Sequence, residues 1–132
     1  MITRKINSYL AQDSIIQILR NEVIGTKDKY PLLISSSYYG LGIIYAITRE
    51  HKSISYLNMA CIDTFDFSKH MFSHTGGPII FDEIDKATLA VQFQLKLFLS
   101  STRPVIATCE NINNLNDEMK NCFKFNVHII DK

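Results

Sequence analysis

Gly77-Pro78-Ile79-Ile80-Phe81-Asp82-Glu83-Ile84-Asp85-Lys86 is the stretch on which the fold assignment turns. Ile79 to Phe81 form a continuous apolar run rather than an alternating one, which marks a strand buried on both faces, as in a parallel sheet covered by helices. Gly76, Gly77 and Pro78 break whatever precedes the run. It ends in the carboxylates Asp82, Glu83 and Asp85, and ligands of open α/β sheets sit at the carboxyl ends of the strands.

Downstream, Lys86 to Leu99 has the pattern of a long helix, with Leu89, Phe93 and Leu97 and the neighbouring Leu95, Phe98 and Leu99 on a broad apolar face. Asp85 stands where it could cap that helix. Arg103 to Thr108 reads as a strand, Asn111 to Asn121 as a short helix with Leu115 and Met119 four apart, and Phe123 to Ile130 as a last strand. Upstream, Asp63 to His74 reads as an irregular helix and Ile54 to Asn58 as a short strand. Leu41 to Glu50 is compatible with a helix despite Gly42, and Pro31 opens the buried strand Leu32 to Ile34. Ser8 to Val23 sets Ala11, Ile15, Ile18, Leu19 and Val23 near one helical face. Strands separated by helices predict an α/β fold: a three-layer α/β/α sandwich around a mainly parallel five-stranded sheet, one domain over residues 1–132.

Composition narrows the function classes. At 132 residues, 46% hydrophobic and 20% charged, the chain has the make-up of an ordinary globular domain. Fourteen basic against thirteen acidic residues leave no excess to draw it to nucleic acid or anionic lipid, so no direct nucleic-acid contact is expected. No apolar stretch is long enough to span a bilayer, so no membrane role is expected. Cys61, Cys109 and Cys122 are an odd set without a C-x-x-C pair or a preceding apolar leader, which favours the reducing cytoplasm, with Cys61 and Cys109 as buried structural thiols. His70 and His74 are four apart but have no third ligand at suitable spacing, so a solvated helix face is expected there and no metal site.

The stretch Gly77 to Lys86 resembles the Walker B strand of AAA+ ATPases, and Leu89, Gln92, Leu95 and Leu99 resemble the helix after it in activators of the sigma-54 type. Arg103 to Thr108 is similar to the sensor strand of the same family, Tyr56 to Ala60 to its second strand, and Tyr30 to Gly42 falls where the phosphate-binding loop would lie. The resemblance implies a P-loop NTPase-like fold in which Asp82 helps hold magnesium through water and Glu83 polarises the attacking water. It implies a phosphate loop at Ser35, Ser36, Ser37, Tyr38, Tyr39, Gly40, Leu41 and Gly42, and sensor-like positions at Thr108 and Cys109, the latter where the family usually has asparagine.

The departures from that pattern fall on the chemistry. Such a loop needs glycines so that backbone N–H groups can approach the phosphates, and a lysine that reaches the outer ones. Ser35 and Tyr38 replace two of the glycines, Leu41 stands in the lysine position, and only Gly40 survives. Tyr38 and Tyr39 are placed to plug the pocket or contact a protein. The arginine fingers of the family have no counterpart, Asn116 and Cys122 lying near their place, and no Gly-Ala-Phe-Thr-Gly-Ala loop occurs between Ala60 and Gly77. Neither a lid nor a DNA-binding domain is expected. These features predict a regulatory AAA+-like module without tightly bound ATP or magnesium, acting by protein–protein contact with AAA+ subunits or the transcription machinery. The alternative is a weak ATP-binding protein or ATPase with an unconventional loop.

Overall fold

The computed structural model describes residues 2–7, 11–18, 20–21, 31–36, 49, 54–73, 77–99 and 104–130. In chain order its elements are β1 (Ile2–Asn7), α1 (Ala11–Ile18), β2 (Leu32–Ser36), β3 (Ser55–Asn58), α2 (Thr64–Ser73), β4 (Ile79–Asp82), α3 (Leu89–Leu99), β5 (Val105–Cys109), α4 (Asp117–Asn121) and β6 (Phe125–Ile130). The strands form one sheet in the order β1-β6-β2-β5-β4-β3, and every ladder is parallel.

The continuous apolar runs are the strands at the middle of this sheet. Leu32, Leu33, Ile79, Ile80, Phe81, Ile106 and Ala107 are all fully buried. Alternation along each strand splits them between two cores. Leu33, Ile79, Phe81, Val105 and Ala107 pack with Phe67 and Met71 of α2, Val91, Leu95 and Leu99 of α3, and Met119 of α4. Leu32, Ile34, Ile80, Ile106, Val127 and Ile129 form the second core, with Ile15 and Ile18 of α1. Helices on both faces make the three layers that the sequence predicts.

Caps set several boundaries. Asp63 accepts the backbone N–H of Asp66 at 2.7 Å and so starts α2, and Asn116 does the same for α4 through the N–H of Met119, also at 2.7 Å. α3 starts later than its apolar pattern suggests. Residues Ile84–Lys86 form a separate 3-10 turn, and Thr88 accepts the N–H of Val91 at 3.3 Å as the cap. Asp85, expected in that role, instead accepts the N–H of Asn111 at 3.1 Å and ties the end of β4 to the segment after β5.

Three further expectations are corrected. Among the described residues the sheet has six strands, not five, because Ile2–Asn7 adds an edge strand beside β6. Its Thr3, Arg4 and Lys5 are exposed, as edge strands require, and that polarity hid it. Only part of the apolar surface of α3 is buried: Val91, Gln92, Leu95 and Leu99 face the core, while Leu89, Phe93 and Leu97 point outward. Cys61 is exposed, while Cys109 is buried as expected, and all three thiols are free. The expected helix over Leu41–Glu50 and His74 of the histidine pair lie outside the described residues. Among the described residues no helix is long and apolar enough to cross a membrane.

Phe67 is the hub of the first core, with ring centroids 6.0 Å from Phe81 and 5.6 Å from Phe98. Phe81→Ala opens a cavity there and is expected to cost about 3–5 kcal/mol, whereas Phe65→Ala, at a side chain 72% exposed, is expected to stay within about 0.5 kcal/mol. Urea unfolding midpoints of the two variants check this, and equal losses would contradict the assigned burial.

Candidate functional site

Register builds the site. Asn58 lies opposite Asp82 in the β3–β4 ladder, with Tyr56 opposite Ile80. Ile80 lies opposite Ile106 in the β4–β5 ladder, which carries Thr108 to the level of Asp82 one pleat further on. Tyr56, Asn58, Asp82 and Thr108 therefore share one face at the carboxyl ends of three adjacent strands.

Both oxygens of Asp82 are engaged. The Thr108 hydroxyl donates to Oδ1 and the Tyr56 phenol donates to Oδ2. Partial burial and then the bond to Asp82 hold the Tyr56 phenol well above its ordinary range. The Thr108 hydroxyl also accepts the backbone N–H of Glu83 at 2.9 Å, so one side chain fixes both acidic residues.

Glu83 has φ 58° and ψ 50°, the left-handed region, at a cost of about 1–2 kcal/mol for a residue with a Cβ. Strain of this kind persists where the surroundings over-determine it and concentrates at functional sites. Three contacts do so here. Besides the amide bond to Thr108, Oε1 accepts from Lys86 Nζ at 3.0 Å and Oε2 accepts from Asn58 Nδ2 at 3.3 Å. Asn58 is itself oriented, because its Oδ1 accepts the N–H of Ala60 at 2.8 Å and leaves the amide nitrogen toward Glu83. Lys86 bridges Glu83 and Glu110, each at 3.0 Å, and these two bonds hold its ammonium above the ordinary lysine range. All four carboxylate oxygens of the acidic pair thus accept from a protein side chain.

The phosphate-loop positions divide. Ser37, Tyr38, Tyr39, Gly40, Leu41 and Gly42 lie outside the described residues. Ser35 and Ser36 end β2 and are buried. Ser35 Oγ donates to Asn126 Oδ1 at 3.0 Å and lies 2.9 Å from His128 Nδ1. A hydroxyl has one proton, so Nδ1–H of His128 donates to it, and Ser35 serves as a cross-link between β2 and β6.

The sensor-like positions divide as well. Thr108 joins the acidic pair, while Cys109 belongs to the core on the opposite face, its thiol pushed up to about 12 by burial and then by the charge of Asp85. Among the described residues no group of three potential ligands could hold a metal ion. Sequence reasoning missed Tyr56, Asn58 and Lys86. The signal for the first two was present in their two-residue spacing, which places both on one face of a strand, but only the register shows which strand they face.

No family model matches the sequence, and no curated protein matches it. Solved structures share its architecture. The RuvB Holliday junction branch migration motor of Thermotoga maritima is 16% identical with a TM-score of 0.68, over 89% of this chain and 44% of that one. A mutant of the same motor is 15% identical with a TM-score of 0.62, over 93% of this chain and 44% of that one. The chain spans less than half the length of these proteins. At such identity the likeness is one of fold: this chain has the parallel α/β fold of AAA+ P-loop ATPases, with one edge strand added to the five that the sequence predicts.

Two outcomes check the site. A tyrosine whose folded pKa is raised adds stability that is complete below its ordinary value of about 10 and is lost as pH rises through the folded one. Phenolate absorbance should show Tyr56→Phe removing a phenol that ionises above that ordinary value; removal of one titrating normally would contradict the bond to Asp82. With a thiol-reactive dye at about pH 8, exposed Cys61 should react at once and Cys109 only on unfolding.

Proposed function

We propose that this chain is a regulatory AAA+-like module of the sigma-54 activator type, cytoplasmic, that does not hydrolyse ATP and works in transcription control by binding other proteins, among them AAA+ subunits or the transcription machinery. The observation that carries this reading is the engagement of all four oxygens of Asp82 and Glu83 by Thr108, Tyr56, Lys86 and Asn58. A carboxylate that positions magnesium needs its lone pairs directed at the ion and its waters, and one that activates water must be able to take a proton from it. Here the first is held by two hydroxyl groups, and the second shares its charge with Lys86.

The sequence between β2 and β3 supports the same reading. From Pro31 to Thr48 there is no lysine or arginine, so this stretch itself supplies no cation to compensate the charge of a triphosphate. The strands that form the scaffold keep their apolar runs and the acidic pair is retained, while the phosphate-loop lysine and the arginine fingers are replaced. A scaffold kept without its chemistry suits recognition. The assignment to the sigma-54 type rests on the resemblance of Gly77 to Lys86 and of Leu89, Gln92, Leu95 and Leu99. In the structure Gln92 is buried and its amide donates to the carbonyl of Ala87 at 3.0 Å, joining α3 to the turn before it.

Thermal unfolding with magnesium and ATP tests the proposal. A ligand bound only by the native state adds about 2.7 kcal/mol at a hundredfold excess over its dissociation constant. No rise in Tm at millimolar ATP is expected, and Glu83→Gln should leave partner binding unchanged. A clear rise that Asp82→Ala abolishes would contradict the proposal and favour a weak ATPase with an unconventional loop.

A further inference from the structure

α3 is apolar on nearly every side, yet this chain covers only part of it. Val91, Gln92, Leu95 and Leu99 are buried, while Leu89, Phe93 and Leu97 are 75%, 65% and 66% exposed. Helices with apolar surface all round are those that end up buried all round. The three exposed residues recur at every fourth position and stand in one row along the helix. On one flank of that row Gln94 bonds to Ser68 of α2 at 3.1 Å, and on the other Lys96 bonds to Glu118 of α4 at 2.8 Å. The row is therefore the crest of the middle helix of its layer, open to solvent. At roughly 200 Å² for a fully exposed large side chain it presents about 400 Å², the size of patch that on monomers is often functional.

We infer that this crest is a self-association surface, on which α3 of a second copy of the chain packs antiparallel about a two-fold axis at Phe93. The row Leu89, Phe93, Leu97 reads the same in both directions. An antiparallel copy therefore sets each Leu89 against Leu97 of its mate and Phe93 against itself, the self-complementary arrangement that a two-fold interface requires. Charge permits it. Lys96 is the one charged side chain of α3, and its pairing with Glu118 keeps two lysine charges from meeting unneutralised. Two copies bury about 800 Å² through the crest, less than the roughly 1,200 Å² of stable interfaces, so the dimer is weak and reversible. The inference does not depend on whether the acidic pair binds nucleotide.

Sedimentation equilibrium from low micromolar to about millimolar protein, in the presence of reductant, tests it. The expected result is a monomer at the low end and a dimer in the hundreds of micromolar, with Phe93→Glu and, separately, Leu97→Lys each raising the dissociation constant at least about tenfold. Both positions are solvent-facing, so these variants should keep the wild-type circular dichroism. Under mild oxidation Phe93→Cys should cross-link faster than the native thiols, because the two-fold axis brings its two copies together, and Leu89→Cys should cross-link to Leu97→Cys rather than to itself. A monomer at every concentration, association indifferent to both charge substitutions, or Phe93→Cys cross-linking no faster than wild type would each overturn the inference.

Discussion

Burial of both faces of the central strands is the constraint from which the rest of this structure follows. A strand covered on two sides has no room for an unpaired polar side chain, so β2, β4 and β5 are apolar until their carboxyl ends, where polar groups emerge together. Alternation then decides their fate. Phe81 enters the core under α2 and α3, and Asp82, one residue later, faces the other way beside Thr108. The acidic pair is in this sense a product of packing: moving β4 by one residue, so that Asp82 took the place of Phe81, would bury a carboxylate in the core under α2 and α3.

Around that pair the hydrogen bonds are reciprocal rather than merely numerous. Thr108 gives its proton to Asp82 and takes one from the Glu83 amide, which holds Glu83 in a conformation it would otherwise avoid. Asn58 is aimed by the backbone of Ala60, and Lys86 is held between two glutamates. The ion pairs are exposed and each contributes little to stability. Their effect is to occupy Glu83. A functional contrast follows within one small surface: the left-handed glutamate marks a site built at some cost in strain, while its acceptors point at the protein's own donors.

Much of this was legible in the residues. The uninterrupted runs at Leu32 to Ile34 and Ile79 to Phe81 suit strands buried on both faces, and turn residues around them separated strands from helices, so layers and sheet type followed from pattern. β1 escaped because Thr3, Arg4 and Lys5 suppress the apolar signal that an edge strand does not need. α3 misled in the opposite way. With apolar residues at nearly every position it has little amphipathic contrast, so Leu89, Phe93 and Leu97 looked as fit for the core as Val91 and Leu95, and only the packing of the layer distinguishes them. At the site, the types of Asp82, Glu83 and Thr108 carried their own signal, whereas Tyr56, Asn58 and Lys86 acquire meaning only once register and the turn at Ile84–Lys86 bring them close.

Asp82 and Glu83 accept from donors of their own chain, and the proposed function requires that they direct no metal–nucleotide complex. Paramagnetic broadening by manganese in the presence of ATP, read residue by residue from backbone amide resonances, tests that requirement directly, because the metal reports its own position. No selective broadening of Asp82, Glu83 and Thr108 is expected relative to an exposed acidic position such as Asp117. Selective loss of those three signals, restored by Asp82→Ala, would contradict it.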